Sequence, residues 1–114
     1  MDDGVRAKLE ELVEAFAEVE RQLSDPDLLS DQERYTETAQ RHAELRTIVD
    51  GYRRFQQAET DASEAAELAS VEDDEEMAAE FRSMADDRRA EAVKIEEELW
   101  LALAPKDPND DKDV

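Results

Sequence analysis

The chain has 114 residues, which is enough for one domain, and its two glycines and three prolines leave room for few turns. With 34 acidic and 14 basic residues its formal net charge is −20, which disfavours broad binding to nucleic acids or to anionic membranes. The absence of cysteine excludes disulfide and thiolate chemistry and fits a reducing compartment.

The first predicted helix spans about residues 3–24. Its apolar residues alternate spacings of four and three, the pattern of heptad positions a and d on one helix face. These residues are Val5, Leu9, Leu12, Phe16, Val19 and Leu23. We expect Asp2 or Asp3 to cap the helix, and Asp25-Pro26-Asp27 to end it.

The second predicted helix begins at Ser30 and continues to about residue 69. Ser30 and Glu33 have the spacing of a capping box, in which each side chain accepts a hydrogen bond from the other's backbone N–H. The apolar residues of this helix form a stripe that loses its heptad register near Gly51, which predicts a straight or kinked helix rather than a regular supercoil. Its members are Tyr35, Thr38, His42, Leu45, Ile48, Val49, Tyr52, Phe55, Ala62, Ala66 and Ala69.

The third predicted helix spans about residues 73–103 and follows a break at residues 70–74. No segment shows the alternation typical of a strand. The side chains expected to face inward are Met77, Phe81, Met84, Ala92, Ile95, Leu99 and Ala102.

These elements predict an all-α fold: an elongated antiparallel three-helix bundle with a projecting two-helix, coiled-coil-like hairpin over residues 55–90. Folding back at the two breaks is expected to pair Leu9 with Leu45, Val5 with Asp50, Leu99 with Ala43 and Ile95 with Thr47. We expect all three helices to meet around Leu9, Leu45, Ile48, Tyr52, Ile95 and Leu99. The hairpin is rich in alanine, so it should be only marginally stable.

No catalytic, cofactor-binding or metal-binding residue is predicted. The single histidine, His42, lies on the inner stripe, where a packed structural role is the more frequent outcome. The chain has no nucleophile–base pair, no Gly-rich phosphate loop and no Cys/His metal spacing. Asp107, Asn109 and Asp111 match the first ligand positions of a calcium loop, but Lys112 stands where that loop requires glycine, so we reject it.

Three further groups have a functional and a structural interpretation. The acidic run at residues 73–76 could hold a divalent cation, but acids at a helix N-terminus more often complement the macrodipole. The paired bases Arg53-Arg54 and Arg88-Arg89 could contact RNA, but intrahelical pairing with nearby acids is favoured. Trp100 could form a ligand platform, but an anchor for the helix junction or for a neighbouring domain is favoured.

Three segments carry a family resemblance: Val-Arg-Ala-Lys-Leu-Glu-Glu-Leu at residues 5–12, Leu-Leu-Ser-Asp-Gln-Glu-Arg-Tyr at 28–35, and Leu-Ala-Leu-Ala-Pro-Lys-Asp-Pro-Asn-Asp-Asp-Lys at 101–112. Together they resemble the N-terminal domain of the release factor 1 family of bacterial class-I peptide chain release factors. The resemblance covers the whole chain and implies a helical domain at 1–103 and an interdomain linker at 104–114, truncated before the second domain.

The resemblance implies a parent protein that recognises the UAA and UAG stop codons and triggers peptidyl-tRNA hydrolysis. The family's Gly-Gly-Gln and Pro-x-Thr-type motifs for these steps do not occur in these 114 residues, so no site residue is carried over and the chain itself is expected not to be an enzyme. The implied partners are the GTPase-associated region of the large ribosomal subunit and the class-II release factor GTPase. The charge of −20 favours a basic ribosomal protein over ribosomal RNA as the contact.

Two other functions remain open from the sequence. One is a free-standing acidic coiled-coil adaptor that dimerises through its apolar stripes. The other is a tRNA-binding helical arm of the synthetase type, which ranks last because such arms usually carry a basic outer face. The chain shows no signal peptide and no apolar run of 18 residues, so we expect a soluble cytoplasmic protein without a membrane partner.

Overall fold

The computed structural model describes residues 1–104, which form four helices and no strand. These are α1 (Asp3–Leu23), α2 (Pro26–Leu29), α3 (Gln32–Val71) and α4 (Glu75–Leu103). The molecule is elongated, with principal extents of 63 × 42 × 22 Å, because α3 alone is 40 residues long. The all-α, elongated architecture is therefore confirmed, and the three long helices lie within about two residues of their predicted bounds.

The connection between α1 and α3 contains the helical turn α2, where the sequence analysis expected only a break. Proline has a fixed φ and no N–H, so Pro26 suits the first position of a helix, and the Asp25 carboxylate accepts a hydrogen bond from the N–H of Asp27 at 3.0 Å. Leu28 is buried and holds this turn against the bundle.

The start of α3 differs from the predicted capping box. Asp31, not Ser30, is the N-cap: it has an extended backbone and its carboxylate accepts a hydrogen bond from the N–H of Arg34 at 3.2 Å. Ser30 terminates α2 instead, and its hydroxyl donates to the carbonyl of Asp27 at 2.8 Å. The capping-box prediction was wrong because α2 already uses Ser30, which leaves Asp31 as the first residue free to cap α3.

Two clusters of buried side chains form the core. The larger joins α1, α3 and α4 and contains Leu9, Tyr52, Phe55, Ala58, Ala92, Ile95 and Leu99, with Ile48 packed against it. The smaller joins α1 and α3 and contains Phe16, Val19, Leu45 and Val49. The predicted three-helix zone is thus confirmed except for Leu45, which belongs to the two-helix cluster.

The predicted register between α1 and α3 was wrong by about two helical turns. Leu9 packs in the same cluster as Tyr52 rather than beside Leu45. The Arg6 guanidinium lies 3.8 Å from the Glu59 carboxylate, so the start of α1 lies beside residue 59 of α3 and not beside Asp50. Because α2 lengthens the connection, the chain reverses direction later than a simple break would allow.

The register between α3 and α4 is displaced in the same direction. The two helices pack closely at buried Gly51, where an added Cβ would lie 3.0 Å from Cδ2 of Leu99. Leu99 therefore packs at Gly51 and not at Ala43 as predicted, whereas Ile95 and Thr47 do line one small cavity. Helix α3 continues through Gly51 without interruption. Because Gly51 has no side chain, Leu99 can pack against the backbone there.

Beyond the three-helix core, α3 and α4 continue as a hairpin, as predicted, but it begins later than the predicted residue 55, because Phe55 and Ala58 belong to the core and Arg6 of α1 pairs with Glu59. The buried residues of this hairpin are all alanines. They are Ala62 and Ala65 on α3, and Ala78 and Ala85 on α4. Met77 and Met84 were expected inside but are 45% and 53% exposed, because the buried face of α4 follows residues 78, 85, 92 and 99. Tyr35 and Ala102, also expected inside, are exposed.

A hydrogen bond at the edge of the larger cluster connects α1 to α3. Tyr52 is 1% exposed, and its hydroxyl donates to Oε1 of Glu10 at 2.6 Å. Burial raises the pKa of Tyr52, and the hydrogen bond to the Glu10 carboxylate raises it further. The neutral phenol is therefore the form that the folded chain favours.

Replacing Tyr52 with Phe should lower the free energy of unfolding by about 1 kcal/mol, because the ring still packs but the hydrogen bond is lost. The stabilisation from the raised pKa is fully present below the unfolded tyrosine pKa of about 10 and is lost as pH rises through the folded pKa. Urea titrations at pH 8 and above pH 10 should thus show a smaller alkaline loss for Tyr52→Phe than for the unmodified chain. Tyr35→Phe is the matched control, and an equal effect there would contradict this assignment.

Hydrogen exchange should divide α3 and α4 into two parts. Since alanines bury little area, amides at residues 62–85 should exchange at least about tenfold faster than those at residues 48–55 and 92–99. Exchange followed by mass spectrometry or NMR measures this directly. Equal protection along the full length of both helices would show that the hairpin is as stable as the core.

Candidate binding surfaces

The only histidine is part of the packing. The imidazole of His42 stacks on the ring of Phe16, with centroids 4.7 Å apart and planes 24° from parallel. The predicted packed role of His42 is therefore confirmed. In residues 1–104, no three His, Asp or Glu side chains are grouped so that they could hold a metal ion. The candidate calcium-loop residues 107–111 lie outside the described residues.

The acidic run at residues 73–76 builds the start of α4. The Asp74 carboxylate accepts a hydrogen bond from the N–H of Glu76 at 2.9 Å, and the N–H of Asp74 donates to the Glu72 carboxylate at 3.1 Å. Glu75 and Glu76 occupy the first turn, where negative charge is stabilised by the helix dipole. Of the two interpretations, the structure supports helix capping.

The paired arginines behave differently from one another. Arg89 pairs with Asp86 at 3.3 Å within α4, which confirms intrahelical pairing at this position. Arg53, Arg54 and Arg88 form no ion pair within residues 1–104, so the predicted pairing was wrong for them. At exposed sites an ion pair gains little, so these long side chains are not held in one geometry.

The segment 55–81, which runs from the core into the hairpin and round its tip, carries a concentrated net negative charge. Residues 55–81 contain ten acids and no lysine, arginine or histidine, which is half of the chain's formal net charge of −20. Three apolar side chains lie exposed within this acidic segment: Leu68 at 49%, Val71 at 71% and Met77 at 45%. A surface of this kind fits a partner that is basic and offers apolar contacts.

A second surface lies at the opposite end of α4. Trp100 lines an open groove together with Asp2, Gly4, Val5, Lys8, Leu103 and Ala104. Trp100 is 60% exposed and Leu101 is 73% exposed, while Leu99 is buried. Trp100 was identified from the sequence as a candidate contact residue, whereas Leu101 was not. The signal was the apolar run Leu99-Trp100-Leu101, because only part of such a run can face one side of a helix.

No helix in the described residues combines the length and hydrophobicity that crossing a bilayer requires.

Comparison with known proteins identifies a family for most of the chain. The model of the PCRF domain matches residues 12–114. Peptide chain release factor 1 of Lactobacillus gasseri is 32% identical over 112 residues, covering 98% of this chain and 31% of the relative. Peptide chain release factor 1 of Maridesulfovibrio salexigens is 38% identical over 108 residues, covering 95% of this chain and 30% of the relative. The chain thus spans about a third of these relatives' length, and no solved structure matches it.

Replacing Asp74 with Ala should destabilise the hairpin by about 0.5–2 kcal/mol, since the N–H of Glu76 loses its partner. Faster amide exchange at residues 76–80 is the expected readout. Asp74→Asn keeps an acceptor oxygen and should remain close to the unmodified chain.

The same two proteins test the cation alternative. Millimolar Ca²⁺ or Mg²⁺ should leave the exchange rates of the unmodified chain unchanged. A stabilisation by either ion that disappears in Asp74→Asn would restore the metal-site interpretation.

Proposed function

We propose a function from the fact that this chain belongs to the PCRF domain family: it is the N-terminal, ribosome-docking domain of a translation termination factor. The parent protein recognises the UAA and UAG stop codons and triggers hydrolysis of peptidyl-tRNA. Relatives named peptide chain release factor 1 support this assignment. The proposed site of action is therefore the ribosome, in the cytoplasm.

The projecting hairpin is the observation that carries the docking role. It extends from the three-helix core and presents acids and exposed apolar side chains without a basic residue between positions 55 and 81. A surface on a projecting element can reach a partner while the core stays clear of it. In this proposal the hairpin approaches the GTPase-associated region of the large subunit, and its neighbourhood includes the class-II release factor GTPase.

The proposed contact is a basic ribosomal protein rather than ribosomal RNA. Phosphate groups near ten acids would be repelled, whereas lysine and arginine side chains would be attracted and guided toward the hairpin. Leu68, Val71 and Met77 would supply the apolar contact that holds the complex once formed.

In the same proposal, stop-codon recognition and peptidyl-tRNA hydrolysis are carried out by other parts of the parent protein. The 114 residues contain no Gly-Gly-Gln sequence, and their one histidine is stacked on Phe16. We therefore propose that this domain binds and does not catalyse.

Charge reversal on the hairpin tests the docking surface in the full-length protein. Glu64, Glu67 and Glu80 are exposed, and changing all three to Lys should weaken ribosome binding by about tenfold or more. The matched control changes the exposed Glu14, Glu20 and Glu37 to Lys, which alters the net charge equally but away from the hairpin. Sedimentation with 70S ribosomes at constant salt measures both. Equal weakening by the two triple variants would show a general charge effect and contradict the hairpin contact.

A separate binding experiment distinguishes a ribosomal protein from ribosomal RNA as the partner of the hairpin. Binding of the hairpin to isolated ribosomal RNA, with no binding to a ribosomal protein of the GTPase-associated region, would contradict the proposed partner. Peptide release by residues 1–114 on ribosomes programmed with a stop codon would contradict the non-catalytic role.

A further inference from the structure

The end of α4 exposes apolar surface that the described fold leaves uncovered. Trp100 is 60% exposed and lines a groove with Val5 and Leu103, and the next residue, Leu101, is 73% exposed outside the groove lining. Val5 and Leu103 pack against the larger core cluster, so the groove lies directly on the three-helix core. Tryptophan in such a position is typical of residues that dominate binding interfaces.

The polypeptide leaves the described structure at this groove. Helix α4 ends at Leu103, and Ala104, which lines the groove, already has an extended backbone with φ −63° and ψ 132°. Residues 105–114 are a poor cover for an apolar groove, because apart from two prolines their only apolar residue is Val114. The relatives are about three times as long as this chain, which supplies a candidate further along the polypeptide.

We propose that the Trp100 groove, together with the exposed Leu101 that adjoins Trp100 on α4, is the docking site for the domain that follows residue 114 in the whole protein. The inference rests on family membership and on the length of the relatives, and does not require the hairpin to touch the ribosome. A domain attached through ten residues stays at a high effective concentration near the groove, so a modest apolar contact is sufficient to keep it docked. Docking would fix the direction in which the hairpin projects from the rest of the protein.

A second copy of this chain is a weaker occupant on physical grounds. Each copy carries a formal net charge of −20, and a groove-to-groove contact would bring two such chains together. An attached domain meets the groove without that bimolecular cost.

Cysteine labelling in the full-length protein tests the proposal. Leu101 and Val71 are almost equally exposed in the structure, at 73% and 71%. Leu101 lies near the C-terminal end of α4, whereas Val71 is the last residue of α3, at the tip of the hairpin. Single variants Leu101→Cys and Val71→Cys are each treated with a maleimide, and labelling is read at that site by mass spectrometry. Each rate is divided by the rate of the same cysteine in denaturant, which removes intrinsic differences in reactivity.

The expected result is labelling at position 101 about tenfold slower than at position 71. Trp100→Asp in the Leu101→Cys background should restore fast labelling, whereas Trp100→Phe should retain protection, because only the charged side chain is excluded from an apolar interface. Circular dichroism on both variants confirms that the helices are intact.

Three results would overturn the proposal. Equal normalised rates at positions 101 and 71 would show that the surface at Trp100 and Leu101 is uncovered in the whole protein. Protection that increases with protein concentration would assign the groove to a second copy. Protection that appears only when ribosomes are added would assign it to the ribosome. None of these depends on the charge-reversal result, so the two proposals fail independently.

Discussion

The fold depends on the one place where three helices meet. Around Tyr52 and Phe55, which are 1% and 0% exposed, α3 is covered by α1 on one side and by α4 on the other. Large side chains from all three helices interdigitate there, and burying a Phe or Leu side chain contributes about 1.5–3 kcal/mol. Gly51 belongs to the same region, since its missing side chain admits Leu99. The smaller cluster and the hairpin both extend from this centre.

Outside that centre, the hairpin combines close helix packing with strong charge. Alanines let α3 and α4 approach closely, but each contributes little buried area, so the hairpin depends on the core at its base and on the Asp74 cap at its tip. The ten acids of residues 55–81 repel one another, a cost that is reduced by the Arg6–Glu59 ion pair, by their spacing along two long helices and by screening in salt. Such a segment is better suited to contact with a basic partner than to forming a core of its own.

The two surfaces at opposite ends have complementary properties. The hairpin tip is acidic and remote from the core, whereas the Trp100 groove is mainly apolar and lies directly on the core. A contact at the groove would be transmitted rigidly to the hairpin, because α4 is one continuous helix between them. Under the two proposals, α4 holds the hairpin in a fixed direction relative to the domain that docks at the groove.

Much of this was available from the sequence. The heptad spacing of Leu9, Phe16 and Val19 predicted the buried face of α1, the scarcity of glycine and proline predicted long helices, and residues 101–112 indicated the family. These features are local, so they follow from helix periodicity and from residues that are close together in the chain. The candidate site was only partly predictable: Trp100 was recognised, but the exposed Leu101 beside it was not.

The tertiary structure alone decided the register and the side-chain environments. A short helix at Pro26–Leu29 shifted the pairing of α1 with α3, and it assigned the cap of α3 to Asp31 instead of Ser30. Met77 and Met84 lie outside because the buried face of α4 follows Ala78 and Ala85 instead. Periodicity specifies which face of a helix is apolar, but how two such faces align along their length depends on the connection between them and on where small residues allow close approach.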